Sequence, residues 1–332
     1  MLDLIVIGGS AGGLSVLVEA VRNLPRDLPA AVCVALHTSA GGPGLLSQIV
    51  GRQTALSCAD AQDGGEIRPG MVYFAPVDRH LFVEPGRLRV TYGPRENGFR
   101  PAVDPLFRTA AKAYRSNVAG IVLSGSLGDG SLGLAAIKQA GGVAIVQDPA
   151  EALFPSMPLA ALRGVDVDHV VRAAEIGPLI ASLTNGAPPR GAVMSDDVSP
   201  ADPVERGGDL SVAAPEGHLI PVTCPECGGS LWERDDGRQV VFRCHVGHAF
   251  NGESLVQYLS AEVEVALWTA LRILEEHALL QERMAERSRA VELNASAEQF
   301  GGRAQESRRQ AETLRKLLLH EPPSSSTETK IE

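Results

Sequence analysis

The sequence is poor in aromatic side chains and has no excess of positive charge. Aromatic residues make up 4% of the 332 residues, and 30 lysines and arginines are outnumbered by 40 aspartates and glutamates. Proteins that bind single-stranded nucleic acids stack bases on aromatic rings and neutralise phosphates with basic side chains. We therefore expect no nucleic-acid partner.

The sequence also lacks a long apolar run and an even set of cysteines. No apolar stretch reaches the roughly 20 residues of a membrane-spanning helix, and Leu2–Ile7 passes directly into glycines, like a first β-strand and unlike a signal peptide. Five cysteines, three of them clustered late in the chain, do not suggest a disulfide scaffold. We expect a cytoplasmic protein without membrane insertion, in which Cys33 and Cys58 are inert.

The first 186 residues have the pattern of one α/β domain. Short apolar segments bounded by turn residues predict buried strands at Leu2–Ile7, Ala31–Leu36, Ala119–Leu123 and Val143–Gln147. Segments with helical spacing lie between them, which favours a parallel, doubly wound sheet.

An antiparallel hairpin is predicted to interrupt this alternation. It comprises Met71–Ala75, His80–Glu84 and Arg87–Tyr92, with a turn at Pro85-Gly86. Asp104-Pro105 then provides an N-cap and a first-turn proline for a helix beginning at Leu106.

Beyond residue 186 the sequence divides into four shorter regions. Residues 187–217 predict a flexible linker, 218–250 a compact cysteine-containing module, 251–320 a helical region and 321–332 a disordered tail. Two helices are predicted, Glu253–Leu293 and Arg303–Leu319, interrupted at Gly301-Gly302. They can form a hairpin, form a coiled-coil homodimer, or pack on the other modules, and the heptad pattern is too short to choose.

The first strand–helix turn contains a serine between glycines. Gly8, Ser10 and Gly12 match G-x-S-x-G, a sharp turn that presents a nucleophilic hydroxyl beside helix N-terminal amides. A dinucleotide site is disfavoured, because Ser10 occupies the middle glycine position and His37, not an acidic residue, ends the second strand. A turn that merely begins a helix remains open on this motif alone.

His37 and Asp129 follow two other predicted strands. The carboxyl ends of parallel strands meet at one sheet edge, so we expect both side chains near Ser10. A serine needs a base, and the base needs a group that holds its tautomer. The order Ser, His, Asp along the chain differs from that of the α/β-hydrolases. The sequence therefore predicts a Ser10, His37, Asp129 site.

At these residues the chain resembles the catalytic domain of the CheB methylesterase family, over about residues 1–186. The motifs that carry the resemblance are Ile7–Gly13, Ala35–His37, Tyr73–Pro76 with His80-Leu81, Arg100–Asp104, Leu123–Gly130, and Gln147-Asp148 through Phe154–Pro158. The resemblance implies a Rossmann-like sheet with a Ser10–His37–Asp129 triad.

The implied reaction is demethylation of glutamyl γ-methyl esters, with release of methanol, on the cytoplasmic helices of chemoreceptors or on a related signalling protein. Some members of the family also deamidate glutamine. Backbone amides of Ala11 and Ser126 would meet the oxyanion, although the family usually has Thr and Met at these positions. His80 and Arg100 match the family pattern and are expected to pack or to position substrate. The receiver domain typical of the family is not expected, since the first strand begins at Leu2.

The late cysteines have the spacing of a zinc site. Cys224 and Cys227 form a C-x₂-C knuckle, and a predicted hairpin, Ser230–Glu233 with Gln239–Arg243, leads to Cys244 and His248. Three Cys and one His form a closed tetrahedral Zn²⁺ shell, and His248 is preferred to His245 because adjacent ligands strain the geometry. We predict a structural zinc ion in a small zinc-ribbon-like module and no cofactor for catalysis.

Two classes of function follow from these features. The first is a hydrolase that uses Ser10, His37 and Asp129. The alternative is a partner-binding or signalling module that retains the esterase fold without catalysis. Loss of methanol release on Ser10→Ala substitution would distinguish them.

Overall fold

The computed structural model describes residues 2–185, 216–235 and 240–319. It divides into two compact units, one ending at Leu255 and the other beginning at Val256. The predicted linker, apart from its last two residues, and the predicted tail lie outside the described residues. Among the residues described, no helix is both long enough and apolar enough to cross a lipid bilayer.

The first unit is built on a seven-stranded parallel sheet. Its strands are β1 (Leu4–Gly9), β2 (Ala31–Leu36), β3 (Ser57–Asp60), β4 (Met71–Phe74), β7 (Val118–Val122), β8 (Val143–Gln147) and β9 (His169–Val171). They are ordered β3-β4-β2-β1-β7-β8-β9, and every pairing is parallel. A separate antiparallel hairpin consists of β5 (His80–Glu84) and β6 (Arg87–Thr91). The predicted α/β class is confirmed.

Helices cover both faces of this sheet. They are α1 (Gly13–Arg22), α2 (Leu46–Gly51), α3 (Val103–Tyr114), α4 (Ser131–Gln139), α5 (Ser156–Gly164) and α6 (Ala173–Asn185). On one face Leu17 and Ile176 pack on the strands, and on the other Phe107 and Leu134 do so. The central strands are buried on both faces, which explains their continuous apolar sequences.

Two predicted elements differ in the structure. Met71–Phe74 pairs in parallel with β2 and β3, so only the later two segments form the hairpin. Helix α3 begins at Val103, not Leu106, and Asp104 lies in its first turn. The predicted cap was wrong because the Asp129 carboxylate accepts the N–H groups of Val103 and Asp104. A side chain distant in sequence thus supplies the cap.

A four-stranded antiparallel sheet, which we call the cysteine module, also belongs to the first unit. It contains β10 (His218–Thr223), β11 (Ser230–Asp235), β12 (Val240–Cys244) and β13 (Ala249–Asn251). The predicted hairpin corresponds to β11 and β12. Among its described residues, 218–235 and 240–251, few apolar side chains are fully buried, chiefly Leu231 and Phe250.

The second unit consists of two antiparallel helices, α7 (Gly252–Ala290) from Val256 onward and α8 (Asn294–Leu319). Between them Glu292 takes a positive φ of 57°, and the Leu293 N–H reaches the Ser288 carbonyl at 2.9 Å, which closes a Schellman turn. The predicted break at Gly301-Gly302 was wrong, because both glycines lie inside α8, facing open space.

The two helices of the second unit pack through a row of small side chains. Buried alanines form this row: Ala278, Ala285, Ala297, Ala304 and Ala311. Arg308 pairs with Glu282 at 2.7 Å, and Arg315 pairs with Glu275. The hairpin is therefore the arrangement within the chain.

Candidate active site

Ser10 lies in the tight turn between β1 and α1. Its N–H donates to the Ser124 carbonyl at 2.9 Å, and its carbonyl accepts the Gly13 N–H at 2.9 Å. Glycine is required in this turn and in the loop after β7 that packs on it, since Gly12 has a φ of 76° and a Cβ on Gly125 would lie 2.8 Å from the Ser10 Cβ. The serine therefore lies just before the N-terminus of α1, where its motif predicts it.

His37 follows β2 and is held on three sides. Its N–H donates to the Gly9 carbonyl at 3.0 Å, and the Phe99 ring stacks on the imidazole with centroids 3.6 Å apart. Nε2 contacts Asp129 Oδ2 at 2.7 Å, whereas Nδ1 is buried without a partner. Because an ionised carboxylate only accepts hydrogen bonds, Nε2 carries the proton and Nδ1 is the basic atom.

Asp129 is fully buried and accepts four hydrogen bonds. Oδ2 receives His37 Nε2–H and the Val103 N–H at 2.7 Å each, while Oδ1 receives Asn97 Nδ2 at 3.0 Å and the Asp104 N–H at 3.1 Å. Burial raises the pKa of Asp129, but the hydrogen bond and charge of His37 and the two amides outweigh it and lower the pKa to about 2. The carboxylate is thus ionised at neutral pH.

A second buried carboxyl group lies beside it. Burial, and then the Asp129 charge, raise the pKa of Asp104 well above its ordinary value. Asp104 accepts the Gly133 N–H at 2.7 Å and Asn97 Nδ2 at 2.9 Å. Two neighbouring buried carboxylates repel each other, so the negative charge resides on Asp129.

Ser10 and His37 open into one cavity of about 490 Å³, within the usual size of a ligand pocket. Its lining residues are Ser10, Ala11, His37, Thr38, Ser39, Ala40, Arg95, Gly98, Phe99 and Arg100. Ser10 Oγ makes no hydrogen bond to the imidazole in this structure, and Asp129 lies behind His37, away from the cavity. Three of the predicted side chains thus meet at one sheet edge.

The two predicted oxyanion donors differ in position. Ala11 lines the cavity, and its N–H has no acceptor within the described part of the chain. Ser126 is half-buried in the β7–α4 loop and is not among the lining residues. Of these two residues, Ala11 is therefore the one at the cavity.

His80 and Arg100 are held by other groups. His80 accepts the Ala102 N–H through Nδ1 and contacts the Pro94 carbonyl through Nε2 at 2.9 Å, and burial lowers its pKa. Arg100 lines the cavity, pairs with Asp78 at 2.7 Å and lies 3.7 Å from the centroid of the Tyr92 ring. The first side chain packs, and the second shapes the cavity wall.

The four predicted metal ligands lie together in the cysteine module. The ligand atoms of Cys224, Cys227, Cys244 and His248 are all within 4.8 Å of one another. Cys227 and Cys244 sulfurs are 3.7 Å apart, and His248 Nδ1 is 3.5 Å from the Cys244 sulfur. A tetrahedron with Zn–S bonds of about 2.3 Å has edges of about 3.8 Å, so the cluster could bind a metal ion.

The other cysteines lie apart from this cluster. Burial raises the pKa of Cys33 to about 12 and that of Cys58 to about 11. Both thiols stay protonated at neutral pH, which makes them poor nucleophiles and poor ligands.

The segment Arg95–Phe99 was not predicted as part of the site. It supplies Asn97 to Asp129, Phe99 to His37 and Arg95 to the cavity. The detectable signal was Asn97-Gly98, a turn dipeptide in which Asn97 has a φ of 51° and Gly98 one of 77°. The local sequence pattern does not show which distant residues this segment contacts.

Comparisons with known proteins agree on the first half of the chain. The family model described as CheB methylesterase matches residues 5–180. A Leptospira interrogans relative, provisionally named a protein-glutamate methylesterase/protein-glutamine glutaminase, is 35% identical over 182 residues, covering 54% of this chain and 94% of that protein.

Other relatives match over part of their length. The protein-glutamate methylesterase/protein-glutamine glutaminase 2 of Anaeromyxobacter dehalogenans is 36% identical over 55% of this chain and 53% of its own length. The crystal structure of the Thermotoga maritima CheB methylesterase catalytic domain superposes with a TM-score of 0.52 at 31% identity, covering 55% of this chain and 98% of that one.

Proposed function

Since this chain belongs to the CheB methylesterase family, we propose that it is a serine hydrolase that removes the γ-methyl ester from glutamate side chains of chemoreceptors in the cytoplasm. Ser10, His37 and Asp129 are its catalytic residues. The observation that carries the proposal is the His37 ring, which bonds buried Asp129 through Nε2, has an unpartnered Nδ1, and belongs to a residue that lines the same cavity as Ser10.

The reaction follows from these roles. His37 Nδ1 accepts the Ser10 hydroxyl proton as Oγ attacks the ester carbonyl, and the Asp129 carboxylate stabilises the imidazolium. The tetrahedral intermediate collapses, and the methoxy group leaves with the proton from His37 as methanol. Water, deprotonated by the same imidazole, then hydrolyses the acyl-enzyme and releases the glutamate carboxylate.

The oxyanion of the intermediate requires donors close to Ser10. The free Ala11 N–H, one residue before the N-cap of α1, is suited to this role, because amides at a helix N-terminus stabilise developing negative charge. The Ser126 N–H is the second candidate, and its contribution requires the β7–α4 loop to approach the cavity when substrate binds.

Deamidation of glutamine uses the same acyl-enzyme, with ammonia leaving in place of methanol. The names of the Leptospira and Anaeromyxobacter relatives carry both activities. We therefore propose the deamidase activity as a second reaction of the same site.

The cysteine module is proposed to hold a structural zinc ion. Cys224, Cys227, Cys244 and His248 would fill all four tetrahedral positions and leave none open for substrate. A module with so few buried apolar side chains needs the metal for folding. Protein purified without chelators should contain one zinc per chain, and metal analysis that finds none would contradict this assignment.

The esterase activity is tested by methanol release from a methylated receptor cytoplasmic fragment. The wild-type full-length chain should release methanol, and Ser10→Ala should abolish the release while the protein still binds the fragment. Ser15→Ala is a matched control, because Ser15 bonds only the Gly12 carbonyl on the exposed face of α1. Binding without methanol release by the wild type would favour the non-catalytic binding module.

A further inference from the structure

The cysteine module is joined to the active-site segment Arg95–Phe99 by main-chain hydrogen bonds. The Ala249 N–H donates to the Arg95 carbonyl at 3.3 Å, and the Asn97 N–H donates to the Ala249 carbonyl at 2.7 Å. The Asn251 N–H donates to Asn97 Oδ1 at 2.9 Å. Strand β13 therefore fixes both the path of this segment and the orientation of the Asn97 amide.

Asn97 passes this constraint to the catalytic pair. Its Nδ2 donates to Asp129 Oδ1 at 3.0 Å and to Asp104 Oδ2 at 2.9 Å. Asn251 also holds the β7–α4 loop that carries Asp129, since its Nδ2 donates to the Gly128 carbonyl at 2.9 Å. Both asparagines are buried, so these hydrogen bonds do not compete with water.

The same segment forms one wall of the cavity. Arg95, Gly98 and Phe99 line it, and the Phe99 ring covers the imidazole of His37. Arg95 also pairs with Glu226, which lies between two cysteine ligands, at 3.7 Å. Buried Glu96 is held ionised by Arg108 and by Arg243 of β12, whose charges outweigh the burial that raises its pKa.

The metal ligands determine where β13 begins. His248 directly precedes Ala249, and its carbonyl accepts the Cys244 N–H at 3.0 Å. Ala249 pairs with Arg243, the neighbour of Cys244. The ligand cluster therefore anchors the strand that contacts Asn97.

From these contacts we propose that the cysteine module is a brace for the esterase site, with Asn97 and Asn251 as positioning residues and metal occupancy as the condition for full turnover. The proposal rests on the proposed function. None of the four ligands lines the cavity, so the metal acts through the module's contacts with Arg95–Phe99 and with the Asp129 loop. Metal loss or oxidation of the ligand thiols would then lower turnover although none of these groups lines the cavity.

The test compares three forms of the full-length protein with the wild type. Asn97→Ala should lower kcat for methanol release about 10- to 100-fold, a usual range for residues that orient a primary ligand or catalytic group, with KM little changed. Asn251→Ala, which keeps its backbone bond to Asn97, should lower kcat about tenfold. Metal-stripped protein should lose kcat similarly and regain it when zinc is added.

A matched control and a second measurement separate positioning from general damage. Asn117→Ala removes one side-chain hydrogen bond, to Asp3, from the surface of the sheet domain (residues 2–185) and should leave kcat unchanged. In ¹⁵N-histidine-labelled protein, the His37 Nε2–H resonance should shift in Asn97→Ala, Asn251→Ala and metal-stripped protein, and stay in place in Asn117→Ala. Zinc content should be unchanged in the three substitution variants.

The outcomes distinguish this inference from the proposed function. If the wild type releases methanol but all three forms keep full kcat and an unshifted His37 resonance, the brace is refuted and the esterase stands. If the wild type releases no methanol, the His37 resonance and the rate at which a fluorophosphonate labels Ser10 test the brace instead. A shifted resonance and slower labelling in the three forms would support it, and no change in either would refute it. Should Asn97→Ala fail to unfold cooperatively, Asn251→Ala provides the decisive result.

Discussion

The sheet domain and the cysteine module keep their folds by different means. The sheet domain buries whole strands between two layers of helices, and Asp129 adds a charge that four donors stabilise. The cysteine module buries little besides Leu231 and Phe250 and gathers four ligand side chains instead. The proposed catalytic groups lie in the region with the large apolar core, and the proposed metal ligands lie in the region with few buried apolar side chains.

Because the two regions differ in this way, substitutions should be able to remove catalytic activity without unfolding the protein, or to unfold one region without altering the catalytic side chains. A change at the catalytic side chains should remove activity and leave both regions folded. A change at the ligands should unfold the module and affect activity only through β13. The predictions below test this separation from the largest expected effect to the smallest.

His37→Gln should give the largest loss. Glutamine can still donate to Asp129 but cannot accept and return the Ser10 proton, so kcat should fall by about 10⁶, as when one member of a catalytic unit is removed. Methanol release measures the rate, and thermal unfolding with zinc analysis should match the wild type. Loss of zinc from this variant would contradict the expectation that a change at a catalytic side chain leaves the cysteine module folded.

Asp129→Asn should affect both activity and stability of the sheet domain. The wrong imidazole tautomer should lower kcat by about 10⁴, and weaker capping of α3 should lower the free energy of unfolding by about 1–3 kcal/mol. Because the pKa of Asp129 is lowered to about 2, the wild type should hold this stabilisation above pH 4 and lose it as the pH falls towards 2.

Urea unfolding at pH 6 and pH 3 tests the direction of this pH dependence of stability. The difference between the wild type and Asp129→Asn should shrink at the lower pH, and a difference that grows would contradict the assigned charge. Asp148→Asn is the control, since Asp148 caps only the exposed turn at Ala150.

Metal removal should unfold the cysteine module and leave the seven-stranded sheet folded. On dialysis against a chelator, amides of β10–β13 should lose protection from hydrogen exchange, because the ligands supply the folding energy of the module. Amides of β1, β2, β7 and β8 should keep theirs. Cys244→Ser should reproduce the loss, and Cys58→Ser, which changes a thiol outside the cluster, should not.

Gly302→Ala should have the smallest effect and extends the comparison to the helical unit. Gly302 lies within α8 with open space around it, so alanine should stabilise this unit by about 1 kcal/mol. Gly12→Ala provides the contrast, since a Cβ there would lie 2.7 Å from Ser124 Oγ at a φ of 76°. Chemical denaturation should show opposite signs for the two variants.

The sequence predicted the elements whose signals are local. β2 and β8 have the predicted bounds, and Ser10, His37 and Asp129 follow strands whose carboxyl ends meet at one edge. The short edge strands β3 and β9 were missed, because three or four mixed residues carry no clear periodicity. The start of α3 was misplaced because its cap comes from Asp129, 26 residues beyond Val103.

The contacts of the cysteine module could not be predicted. Asn97 and Asn251 are 154 residues apart in sequence, and single buried asparagines have no periodic signature. The turn at Glu292 was also missed. Its backbone takes the left-handed conformation in which a helix end usually has glycine, and a glutamate there gives no such signal in the sequence. Glycine inside α8 instead misdirected the prediction.

The capping of α3 by Asp129 gives this aspartate two duties that selection would act on separately. A descendant of this chain that had abandoned hydrolysis would still need an acid at position 129 to start that helix, whereas Ser10 and His37 would be free to drift. In a collection of such sequences, an intact aspartate is therefore no sign of a working enzyme, and the hydroxyl and the imidazole are the residues to inspect.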